Sequence, residues 1–193
     1  MKTYLYFVIL SLLITSCKSD KISDKSIELS NKAVNALSFE KYTDALKYSE
    51  EAIKIDKKNY NAYTIKAQML IKENKLNEAE KTIQKQLEVK PDFAEGWTFK
   101  GMINDLQGNQ NQAKSDYQKG IDLFEQRILK TDFNKQINVT NKYLNLILIG
   151  DEKSKSKMSE IETEFKNDKL IYDLLISLKE HSKKEIIEQM LTE

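Results

Sequence analysis

Alanine recurs at positions 45, 79 and 113, and both intervals are 34 residues. A fixed period of that length constrains the fold more than any other feature of the chain. Each repeat has to be one supersecondary unit that cannot bury its apolar face alone and must stack on its neighbours. Other columns keep the same step. Leu29, Tyr63 and Trp97 form one, and Ala33, Ala67 and Gly101 a second. Leu37, Ile71 and Asp105 form a third, whose last member breaks its apolar character. Ile53, Leu87 and Ile121 close each unit, followed two residues later by Ile55, Val89 and Leu123. Inside a unit, DALKYSEEAIKI sets Ala45, Tyr48, Ala52 and Ile55 at helical spacing with charge around them. Five Gly and one Pro among 193 residues leave long helices few interruptions. The pattern predicts an all-α fold.

The repeat resembles the tetratricopeptide repeat, a helix-turn-helix unit of this length. That family wants an aromatic or large residue early, small residues where two helices cross, and Pro near the end. Trp97, Gly101, Ala113, Tyr117 and Gly120 match it in the third unit. Tyr63, Ala67, Ala79 and Pro91 match in the second, where Gln86 stands for the usual small residue. Ala33, Tyr42, Ala45 and Ala52 match in the first, where Lys57 replaces Pro. The resemblance implies a right-handed α-solenoid with three repeats over residues 26–125. Pro91 ends a helix, and Asp92 with Glu95 reads as a capping box opening the next. KENKLN and LQGNQNQ read as polar turns within units two and three. Beyond residue 125 the register is lost. Helical patterning runs to about Leu129, restarts near Asp132 and continues to Ile149. Gly150-Asp151 then breaks it, before a stripe of Met158, Ile161 and Phe165. Residues 126–167 read as a degenerate fourth helix pair, and 168–193 as C-terminal helices that cap the solenoid.

In tetratricopeptide proteins the first helix of each unit lines a concave groove. Carried over by position, the resemblance implies a partner-binding surface of Asn31 and Val34, then Asn61, Ile65, Gln68 and Lys72, then Phe99, Met102 and Leu106. Leu37, Ile71, Glu95 and Asp105 lie beside them. Aliphatic, aromatic and Met side chains beside amides suit an extended peptide or a partner helix. Repeats that clamp the terminal carboxylate of cytosolic chaperones place Lys, Asn and Arg where this chain has Ser30, Val34, Ile65, Glu95 and Phe99. A carboxylate there would meet apolar walls and a like charge.

The N-terminus speaks to location. MKTYLYFVILSLLITS (residues 1–16) has a Lys near its start, an apolar run from Tyr4 to Ile14 and a small-residue exit. That is the layout of a secretory signal, too short to span a bilayer. Ile14-Thr15-Ser16-Cys17 resembles a bacterial lipobox, and Cys17 is the sole cysteine, so no internal disulfide can form. The resemblance implies cleavage before Cys17 and acylation of it, with residues 17–25 as a tether. The polar stretch 17–24 reaches at most about 28 Å. Such a protein is expected on the cell envelope, at the outer membrane of a Gram-negative bacterium.

Little points to chemistry. Loss of Lys2 with the leader leaves thirty basic residues against thirty acidic, which gives no pull toward nucleic acid. His181 stands alone and reads as a surface histidine, not a zinc ligand. No phosphate-cradling glycine motif occurs. DEKSKSK (151–157) reads as a solvated helix start, and Asn138-Val139-Thr140 is a glycosylation triplet of little meaning in a bacterium. No enzyme, metal or cofactor is expected. The expectation is a lipid-anchored module that binds a protein or peptide partner. The alternative is self-association, to a homo-oligomer, through the apolar helix Leu170 to Leu178.

Overall fold

The computed structural model describes residues 21–131 and 134–191. The stretch 1–16 expected as a secretory signal, Cys17 and Asp132 lie outside them. Ten helices and no strand occur among the described residues: α1 Asp24–Ser38, α2 Tyr42–Ile55, α3 Tyr60–Lys72, α4 Leu76–Val89, α5 Ala94–Leu106, α6 Gln110–Lys130, α7 Lys135–Ile149, α8 Glu152–Phe165, α9 Lys169–Glu180 and α10 Lys183–Leu191. The all-α fold is as expected. None of these helices is long and apolar enough to cross a membrane. The chain divides into two compact units that meet at residues 92 and 93.

The unit before that point is two helix hairpins, α1 with α2 and α3 with α4, and α3 also packs on both α1 and α2. The alanine columns explain the closeness. Ala33, Ala45, Ala67 and Ala79 are wholly buried, so the helices approach with only a methyl group between backbones. Ala33, Ala36 and Ala45 close around Ile65 and Met69. Asn59 ties the hairpins together. Its Nδ2 donates to Ser26 O at 3.0 Å, Ser26 Oγ at 2.9 Å and Ser30 Oγ at 2.8 Å, while its Oδ1 accepts from Ala62 N at the start of α3. Gln86, the departure from the small-residue column, is fully buried. Its Nε2 donates to Tyr60 O and Thr64 Oγ1, both at 2.6 Å. Ile55 is exposed, so the stripe read on α2 ends at Ala52.

The unit after it opens with the hairpin of α5 and α6. α6 has 21 residues against 14 in α2 and α4, and runs through position 125 to Lys130. Gly101 sits where a Cβ would stand 2.5 Å from Tyr117 Cε1, so the Tyr117 ring occupies the space a side chain would need. α7 packs on α6 and α8, and α9 packs on α7 and α8. Gly150 ends α7 at φ 66°, and Asp151 caps α8 by accepting from Ser154 N at 2.7 Å. Asn138, Val139 and Thr140 are buried, leaving no room for a glycan. The capping box expected at Asp92 and Glu95 does not form. Phe93 takes the cap position of α5, Asp92 pairs with Lys90, and Glu95 reaches Arg127 on α6.

Every hairpin turn within a repeat has the same form. Glu40, Asn74 and Gly108, again 34 apart, adopt φ of 57°, 58° and 81°. Each donates its N–H three residues back, to Leu37, Ile71 and Asp105. The next residue donates five back, to Ala36, Leu70 and Asn104. This left-handed cap satisfies the last carbonyls of each first helix.

Candidate functional site

The first helices carry the expected surface, and the structure divides its residues by exposure. In the unit before residue 93, α1 presents exposed Asn31 and half-buried Val34. On α3, Asn61, Gln68 and Lys72 are half-buried on one face. Ile65 is 3% exposed and belongs to the alanine-lined core. Asn31, Val34, Asn61, Gln68 and Lys72 therefore remain open or partly open to solvent, while Ile65 does not. Lys72 Nζ lies 4.5 Å from the centre of the Tyr42 ring, which fixes the cation beside an aromatic face. Asn61 Oδ1 is buried without a hydrogen-bond partner among the described residues.

In the unit after it, α5 carries Phe99, Met102 and Leu106. Phe99 and Met102 are 3% and 0% exposed, and Leu106 is 37% exposed. The first two are core residues of this structure, a departure from a solvent-facing groove wall. Asp105 shares their face, and Tyr117 Oη donates to its Oδ2 at 2.7 Å. Lys183 Nζ lies 2.7 Å from the same oxygen. Burial, and then the bond to Asp105, push the Tyr117 phenol far above its ordinary range. Sequence reasoning missed this cluster. Its signal was present, because a carboxylate in the column of Leu37 and Ile71 needs a buried partner. The partner's distance along the chain hid it.

Asp116, also on α6, is buried among Asn104, Gln112 and Lys100. Burial raises its carboxyl above the usual range despite Lys100 and the amides. His181 is half-buried, and its Nδ1 meets Ser177 O at 2.7 Å. Among the described residues no three metal-ligating side chains gather.

Two sequence-family models, both described as the tetratricopeptide repeat, match residues 36–103 and 94–127. Residues 36–127 are tetratricopeptide repeats. The chain is 33% identical over 94 residues to the heat shock protein sti1 homolog of Schizosaccharomyces pombe, covering 49% of this chain and 16% of that one. It is 32% identical over 83 residues to the Hsp70-Hsp90 organizing protein 2 of Arabidopsis thaliana, covering 43% and 14%. The chain thus spans about a sixth of the length of the curated relatives it matches. Among solved structures it resembles the first tetratricopeptide domain of Spaghetti (RPAP3) bound to an HSP90 peptide SRMEEVD. The TM-score is 0.51 at 15% identity, over 74% of this chain and 94% of that one. It also resembles the Sgt2 tetratricopeptide domain of Aspergillus fumigatus, with TM-score 0.51 at 20% identity, over 66% and 83%. At these identities the likeness is one of fold.

Proposed function

We propose that the chain is a lipid-anchored protein-interaction module, which holds a protein or peptide partner on the first-helix faces of its tetratricopeptide repeats. The observation that carries it is the repeat match over residues 36–127. The half-open amide and apolar face of α1 and α3 suits a partner that supplies apolar side chains with backbone or side-chain hydrogen-bonding groups. The solved RPAP3 domain holds a peptide ending in acidic residues, but the recognition here is of a different kind. Ser30 is engaged by Asn59, Glu95 is paired with Arg127, and Val34, Ile65 and Phe99 are apolar. No cation stands at those positions to bind a terminal carboxylate.

The anchor rests on the likeness of Ile14-Thr15-Ser16-Cys17 to a bacterial lipobox, and with it the module would sit at the cell envelope, on the periplasmic face of the outer membrane or the cell surface. The role is that of an adaptor or accessory subunit without chemistry of its own. The test is crosslinked pull-down from native membranes of wild type, the double variant Asn31→Glu/Gln68→Glu, and Cys17→Ser. The reading expects a partner that wild type captures and the double variant loses at unchanged helicity. It expects Cys17→Ser to leave the membrane fraction. Equal capture by the double variant would move the interface elsewhere, and membrane retention of Cys17→Ser would remove the anchor.

A further inference from the structure

Helix α10 buries Ile186, Ile187 and Leu191, yet no helix packs on it as α5 and α6 pack on each other. Its charged contacts show where it is held. Lys183 Nζ pairs with Asp105 Oδ2 and lies 5.4 Å from the centre of the Tyr117 ring. Asp105 follows Phe99 and Met102 at three-residue steps, so all three lie along one face of α5. That is the face the repeat pattern turns toward a partner, and Asp105 is its point of contact with α10. The first turn of α10 is thus seated on the partner face of its own unit.

Three buried aliphatics and one ion pair hold this segment. It has nine residues, too few to persist as a helix without its contacts. Ser182 and Glu185 form a capping box at its start, Ser182 N donating to Glu185 Oε2 at 2.7 Å and Glu185 N to Ser182 Oγ at 3.3 Å, so it refolds readily once a surface is offered. The Lys183 side chain is about a third exposed, where solvent weakens an ion pair.

We propose that α10 is an intramolecular occupant of the partner site on the 93–191 unit, and that the site's ligand is an amphipathic helix. The ligand presents a lysine to Asp105, one turn ahead of paired branched aliphatics, as Lys183, Ile186 and Ile187 do. The idea rests on the reading of these repeats as a binding module. A partner then has to displace α10, and its apparent affinity falls by the fraction of chains in which the face is free.

The test is fluorescence anisotropy with a labelled peptide of the sequence of residues 181–191, titrated into the full chain. Three forms are compared: wild type, Ile186→Asp/Ile187→Asp, and that double variant with Asp105→Lys added. The double variant should bind the peptide at least tenfold tighter than wild type, and Asp105→Lys should abolish the gain. A peptide carrying Lys183→Glu should recover binding to the Asp105→Lys form. A folded double variant that binds no better than wild type overturns the proposal. Should that variant fail to fold, amide exchange of wild type decides. Exchange at least tenfold faster in α10 than in α5 supports a removable occupant, and equal protection contradicts it. If the peptide fails while Asn31→Glu/Gln68→Glu still loses the partner, the binding module stands and only the occlusion falls.

Discussion

Glu40 holds a left-handed backbone conformation at φ 57°, where its Cβ crowds the following carbonyl. Gly108 occupies the same place in its own turn without that cost. Glu40→Gly should therefore stabilise the chain by about 1 kcal/mol, read as a higher urea midpoint; a lower midpoint would mean the turn is not strained. A different residue governs the response to acid. Burial raises the Glu162 carboxyl, but Tyr143 Oη and Lys179 Nζ (2.9 Å) bond to it and bring it below its ordinary range. A lowered carboxyl stabilises the fold above its unfolded value and loses that contribution as pH falls through the folded one. Wild type should exceed Glu162→Gln in stability at pH 7, and the gap should close below about pH 4. A gap constant with pH would show that the carboxylate's charge plays no part. These residues also mark what sequence could reveal. The alanine columns were legible because paired helices approach there too closely for more than a methyl group. Gln86 was visible only as an irregularity, since the carbonyl and hydroxyl it serves come from another helix.

At the scale of elements, the helices were legible from period and punctuation, and their ends less so. Gly150 and the polar turns announced themselves. The start of α5 did not, because Asp92 and Glu95 have the spacing of a cap but each finds a cation elsewhere, at Lys90 and Arg127. Local pattern lost to tertiary pairing. The surface residues divided the same way. Spacing put Ile65, Phe99 and Met102 on the partner-facing side of their helices, but a helix has no sharp edge between groove wall and core, and all three fell to the buried side. The joint between α1 and α3 is the clearest polar one, with Asn59 serving both Ser26 and Ser30 and the cap of α3. Asn59→Ala removes all of these at once and strands the buried Ser30 hydroxyl, for a cost of about 2 kcal/mol. Chemical denaturation would measure it, and a loss under half of that would mean Ser30 finds another partner.

For the whole molecule, composition pointed to an all-helical chain with no global charge, and the proposed function rests on a surface of the repeats. Self-association through α9 has little to work with. Ile171, Leu175 and Leu178 are buried in the chain's own interior, and Leu170 is that helix's exposed large apolar residue. Light scattering of the unlipidated 18–193 fragment is expected to give one protomer at all concentrations, and a mass that grows with concentration would revive the oligomer. The central claim is that the faces of the first helices hold the partner. The most direct measurement places a photo-crosslinking residue at Gln68, on the first-helix face of α3, or at exposed Lys47 on α2, in the full chain in its native cells. A single adduct from Gln68 and none from Lys47 is the expected result. Equal adducts from both positions, or an adduct from Lys47 alone, would contradict it.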